Sequence, residues 1–136
     1  MLKHTAQIRV RYADTDKMQF VYNGKYLEYF EVGRTELLRR YNLPYSQIER
    51  NGYQLPLLEA GLSYKHAATY DDLIDIETSI HTLRSAKLRI EYVLRRHGCE
   101  DVLVTGFTEH IFVRVDIQKA TRPPRFFLDQ FREYFD

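Results

Sequence analysis

The chain has 136 residues, 44% of them hydrophobic and 29% charged, and a formal net charge of +1. That length suits one domain with its own core, and that balance excludes a disordered or low-complexity chain. A charge so near neutrality leaves no electrostatic footprint for nucleic acid, and the lone Cys99 excludes an internal disulfide and fits a reducing, cytoplasmic setting.

Residues 3–12 alternate, with Ala6, Ile8, Val10 and Tyr12 on one face and Gln7, Arg9 and Arg11 on the other. That is a half-buried strand, and no apolar leader precedes it. Residues 13–21 connect it to a helix predicted over about Asn23–Tyr41. There Tyr22, Tyr26, Tyr29, Phe30, Gly33, Leu37 and Tyr41 recur at helical spacing. Asn23 stands near the N-cap, and Glu36 and Arg40 are spaced for an i,i+4 pair. Gly33 in mid-helix costs about 1 kcal/mol against Ala, which close approach of another backbone would explain. Asn23-Gly24 is also a hairpin signal, but residues 25–40 show no period of two.

Pro44 opens a short helical turn over 44–51. Residues 53–68 read as a strand bent near Pro56 and Gly61, and Asp71-Asp72 marks a turn. Residues 73–83 alternate with Ile74, Ile76, Thr78 and Ile80 inward. Residues 87–96 alternate with Leu88, Ile90, Tyr92 and Leu94. Residues 102–115 are apolar on both faces, as in a central strand. Residues 125–135 form an aromatic helix, expected to pack on the sheet or a second subunit and not on a membrane. The order of one strand, one long helix and four strands implies an α+β fold: a curved antiparallel sheet of about five strands around one helix, in a single domain over 1–136.

The most informative segment is where the first strand ends on Asp14 and Asp16 just before the aromatic helix. A helix N-terminus can polarise a carbonyl oxygen there while a carboxylate stands beside the carbonyl carbon. The residues Asp14-Thr15-Asp16, Val21-Tyr22, Tyr26, Tyr29-Phe30-Glu31 and Arg34-Thr35-Glu36 resemble the signature of hotdog-fold acyl-CoA thioesterases of the 4-hydroxybenzoyl-CoA thioesterase family. Tyr64, the Tyr70-Asp71-Asp72 turn, Ile76-Glu77-Thr78 and Arg84 extend the resemblance along most of the chain.

The resemblance implies a hotdog fold, a homodimer with sheets joined edge to edge, often a homotetramer, and sites at the dimer interface. It implies that Asp16 is catalytic and that backbone N–H groups near Asn23 polarise the thioester. Two positions depart from the family: Gln19 stands where glycine is usual, and Asn23 where histidine is common.

Thioester hydrolysis suits so sparse a site because the thiolate leaves readily. A carboxylate can attack the carbonyl to give an anhydride, or it can activate water. Asp14 is expected to brace the loop. Glu31 is a reserve base whose alternative is an ion pair with Arg34. Tyr26 is a candidate pocket wall. Coenzyme A carries phosphates, so Arg84 and Lys87 at a strand turn are candidate substrate contacts, with Lys65 and His66 as further basic rim candidates. No metal-ligand spacing occurs, and no cofactor, nucleic-acid partner or membrane partner is expected. The runner-up reading is a non-catalytic module binding acyl-CoA or acyl-carrier-protein thioesters. A hydratase is a weaker third option, since the helix start lacks a histidine.

Overall fold

The computed structural model describes residues 1–135. Strand β1 (Leu2–Arg9) leads through a 3-10 turn at Tyr12–Asp14 to helix α1 (Lys25–Arg40). After α2 (Tyr45–Arg50) come β2 (Tyr53–Gln54), β3 (Leu57–Tyr64), β4 (Leu73–Ile80), β5 (Leu88–Arg96) and β6 (Val102–His110). Short strands β7 (Phe112–Arg114) and β8 (Lys119–Thr121) precede α3 (Arg125–Phe131). The main sheet has the order β1-β4-β5-β6-β3, every pair antiparallel. β2, β7 and β8 form a second, three-stranded sheet.

Helix α1 packs on β1, β4 and β5 through Tyr26, Tyr29, Phe30, Gly33, Leu37 and Leu38, all buried. It starts two residues later than the periodicity implies. Gly24, not Asn23, is the N-cap, and no side chain caps it. Tyr22 therefore lies before the helix and is 63% exposed, off the apolar stripe. Tyr12 also leaves its expected face: the strand ends at Arg9, the chain turns, and Tyr12 is 71% exposed, edge-on to Tyr70. Glu36 pairs with Arg39 at i,i+3 in place of Arg40.

Two glycines set how closely the layers meet. A Cβ on Gly33 would lie 2.4 Å from Thr78 Oγ1 and 2.7 Å from Ile76 Cγ2. The close neighbours are thus β4 side chains, not a second backbone. Gly106 on β6 leaves room for the Phe30 ring, which stacks on Tyr92 at 4.2 Å.

The expected 102–115 strand divides at Ile111 into β6 and β7, which belong to different sheets. β6 is an inner strand of the main sheet, paired on both edges, by β5 and β3. The 53–68 strand divides at Leu55-Pro56, since proline cannot donate to the ladder. The C-terminal aromatic run packs inward: Phe127 and Phe131 are fully buried, and Phe127 meets Phe112 at 4.8 Å. Regular α-helix there stops at Phe131.

Register gives the main sheet two distinct ends. Leu57, Leu88 and His110 align at one, next to Ile80, while Tyr64, Val104 and Leu94 lie toward the other, with Leu73 and Arg9.

Gly33→Ala is expected to destabilise the protein by about 1–3 kcal/mol, because Thr78 and Ile76 are stiff β-branched residues that cannot yield cheaply. That outweighs a helix-propensity gain of about 1 kcal/mol. Urea denaturation checks it, and an unchanged or raised midpoint would contradict the close approach.

Candidate active site

The corner between β1, α1 and the segment after β3 is built on Asp14, only 2% exposed. Its Oδ2 accepts the Arg11 backbone N–H at 3.1 Å and the Tyr29 hydroxyl at 2.9 Å. Its Oδ1 faces Arg11 Nη2 at 3.3 Å and Lys25 Nζ at 3.5 Å. Burial alone would push this carboxyl up, but the hydrogen bonds from Arg11 and Tyr29 and the charges of Arg11 and Lys25 hold it below its ordinary value. Burial, with Asp14 beside it, pushes the Tyr29 phenol well up and keeps it a donor. The Asp14 carbonyl takes the Tyr22 N–H at 3.0 Å, which ties the loop to the approach of α1.

Asp16 follows on an exposed, tightly hydrogen-bonded loop. Its Oδ1 accepts Met18 N–H at 2.8 Å and Phe20 N–H at 3.3 Å, and its own N–H donates to Phe20 O at 2.9 Å. Oδ2 has no protein partner among the described residues. Gln19, at φ 68°, takes the left-handed conformation that glycine adopts without strain. The departure from the family's glycine therefore falls on the one backbone position in the loop where a side chain costs energy. Val21 N–H donates to Ala68 O at 2.8 Å, clamping the loop's end to the segment after β3.

The helix start faces the same space. The backbone N–H groups of Asn23 and Gly24 find no acceptor among the described residues, as expected for first-turn donors. A cleft of about 240 Å³ brings together Asp16, Phe20, Val21, Asn23, Tyr26, Tyr64, Lys65, His66 and Ala67. Tyr26 is 2% exposed and its hydroxyl accepts Ala68 N–H at 3.2 Å. Its ring meets Tyr64 edge-on at 5.7 Å, and the Tyr64 hydroxyl donates to Asn23 O at 3.2 Å.

Asp16, Asn23 and Tyr26 thus share one cleft, with Lys65 and His66 on its rim. Arg84 and Lys87 are not brought to it within one chain. They lie on the β4–β5 turn at the other end of the sheet, a strand length of about 25 Å away at ~3.3 Å per residue. Arg84 lines a separate cleft with Leu83, Arg122 and Arg132. Glu31 is exposed and makes no ion pair with Arg34; Arg34 instead turns inward toward Tyr92. No local pattern in the chain marks the Asp14–Tyr29 bond, or Phe20 and Val21 as cleft walls. The paired aromatics at Tyr26 and Tyr29, three residues apart, were the available hint.

A family model described as the thioesterase-like superfamily matches residues 10–131. YneP of Bacillus subtilis is 33% identical over 107 residues, covering 79% of this chain and 77% of that protein. The acyl-CoA thioesterase YbgC of Haemophilus influenzae is 34% identical over 91 residues, 66% of this chain and 67% of its own. Among solved structures, the DHNA-CoA thioesterase of Staphylococcus aureus matches with a TM-score of 0.88 and 28% identity, over 98% of this chain and 89% of that one.

Since Asp14's folded value is depressed, its contribution to stability is complete above the ordinary carboxylate value of 3.8 and is lost as pH falls through the lowered one. Asp14→Asn is expected to cost about 3 kcal/mol at pH 7 and to flatten the loss of stability below pH ~4. Denaturant titrations from pH 7 to pH 3 check both; equal stability at pH 7 would contradict the bracing role.

Proposed function

Because the chain belongs to the thioesterase-like superfamily and has its hotdog fold, we propose that it hydrolyses acyl-CoA thioesters in the Asp16 cleft, as a cytoplasmic enzyme. The observation that carries this reading is an unpartnered carboxylate oxygen, Asp16 Oδ2, on the same small cleft as Asn23, whose backbone N–H is unpartnered among the described residues, as is that of Gly24 next in the chain. The amides receive the carbonyl oxygen as negative charge develops on it, which is worth roughly 2.7–4 kcal/mol per donor in such sites. Asp16 attacks the carbonyl carbon. Carboxylates are weak bases at neutral pH, so nucleophilic attack suits the group better than proton abstraction. Tyr26 and Tyr64 wall the acyl end.

The reading includes a homodimer. β3 has one unpaired edge, and Leu57, Leu58 and Tyr64 along it are about half exposed. Such an edge is a template for a second strand. Antiparallel pairing of two β3 edges about a two-fold axis sets the Leu57 end of one copy beside the Tyr64 end of the other. The β4–β5 turn of the second copy, carrying Arg84 and Lys87, then lies on the side of the sheet where this chain opens its cleft. The lateral offset is about 14 Å, three strand spacings, within the span of a coenzyme A molecule. Those cations would then meet its phosphates.

Asp16→Asn is expected to stay folded and to lose roughly 100-fold or more in kcat on a panel of acyl-CoAs, read as free thiol released. Unchanged turnover would remove Asp16 from the chemistry, and tight binding without turnover in the unaltered protein would mark a binding module. Leu58→Lys is expected to shift the protein from dimer to monomer in light scattering and to raise KM for acyl-CoA. An unaltered protein that is monomeric at tens of micromolar would contradict the edge pairing.

A further inference from the structure

The cleft holds two titratable groups that the reaction above leaves idle, Lys65 and His66. His66 lines it together with Asp16. Its backbone is fixed: Lys65 N–H and His66 N–H both donate to Leu103 O, at 2.8 and 3.0 Å. The side chain is exposed, and neither ring nitrogen has a protein partner among the described residues. Other histidines are committed. His81 pairs with Glu91, His97 with Asp75, and buried His110 bonds Leu55 O and Thr108. His4 lies on β1, outside the cleft.

We propose that His66 is the proton-transfer group of this site, serving the water that completes hydrolysis; the proposal rests on the Asp16 reading above. Asp16 Oδ2 bonds to the carbonyl carbon, the carbon–sulfur bond breaks, and coenzyme A leaves as thiolate. A water then attacks the acyl carbon of the mixed anhydride and gives one proton to a His66 ring nitrogen. The bond from that carbon to the Asp16 oxygen breaks, restoring the carboxylate and releasing the acid. The imidazolium passes its proton to the thiolate. Thioester and water become acid and thiol, with nothing left over.

Three considerations support it. The second step needs a base, and imidazole is the side chain that ordinarily exchanges protons between pH 5 and 8. Asn23, at the helix start, bears a carboxamide that cannot serve. The other titratable groups lining this space are Asp16 from the loop, Tyr26 from α1, Tyr64 at the end of β3 and Lys65 just after it, while Arg96 on β5 donates to the carbonyl of lining residue Ala67 at 3.4 Å. Tyrosine, lysine and arginine side chains in general offer no free base at neutral pH.

The test compares the unaltered protein with His66→Gln, His66→Ala and Asp16→Asn. His66 is exposed, so its variants are expected to fold. His66→Gln should lose roughly 100-fold in steady-state kcat. It should also lose the limb of the kcat–pH profile between pH 5 and 8. Its first turnover should remain fast, giving a burst of free thiol equal to the enzyme present. Added imidazole should restore part of the kcat of His66→Ala. An unchanged kcat and pH profile in His66→Gln, with Asp16→Asn inactive, overturns the proposal alone. A raised KM with kcat and pH limb intact also overturns it, making His66 a binding contact. Full activity in Asp16→Asn instead overturns the reading on which the proposal stands.

Discussion

Asp14 reaches into the one place where strand, loop and helix meet. Its carboxylate is shared by Arg11 at the strand's end, Tyr29 on the helix and Lys25 at the helix start, while its carbonyl holds Tyr22. A buried charge is costly unless it is hydrogen-bonded on all sides, and this one is. Any geometry that moved α1 relative to β1 would strip Asp14 of a partner. The carboxylate therefore fixes the distance between the loop carrying Asp16 and the helix tip carrying the free amides. Asp16 is exposed, and the buried carboxylate two residues before it gives it an address.

The same constraint divides labour between the two aspartates. Asp14 is saturated with partners and has no lone pair to offer a substrate. Asp16 spends one oxygen on its own loop and keeps the other clear. Gln19 in a left-handed conformation shows how tight that loop is, since the turn persists against the preference of its residue. What folding leaves unpaired in this corner, among the described residues, is one carboxylate oxygen and two backbone N–H groups.

Sequence reasoning read the helix and the main strands well, because each has a buried face and a strict period. Tyr26, Tyr29, Phe30 and Leu37 declare one face of α1, and Ile74, Ile76 and Ile80 one face of β4. It misread residues at the edges of those periods. Tyr12 and Tyr22 continue the spacing arithmetically, but the chain has already turned at the 3-10 segment. β6 and β7 merged in the sequence because both are apolar, and nothing local marks Ile111 as a change of sheet. β8 is too short to carry a period. In the cleft, Asp16, Asn23 and Tyr26 were legible from a contiguous motif. Phe20 and Val21 were hidden in the connecting loop. The wall at Tyr64–Ala67 lies about forty residues downstream, and only strand pairing brings it back. Charge and the family resemblance at Arg84 single out Arg84 and Lys87, and register places them at the far end of the sheet.

The central claim is geometric: a thioester carbonyl fits between the Asn23–Gly24 amides and the free oxygen of Asp16. The most direct measurement is a crystal structure of the protein with a non-hydrolysable acyl-CoA analogue whose carbonyl is retained. The carbonyl oxygen is expected about 3 Å from the Asn23 and Gly24 amide nitrogens, with Asp16 Oδ2 facing the carbonyl carbon from the opposite side. A carbonyl bound away from the helix tip, or an Asp16 carboxylate turned out of the cleft with ligand present, would contradict it.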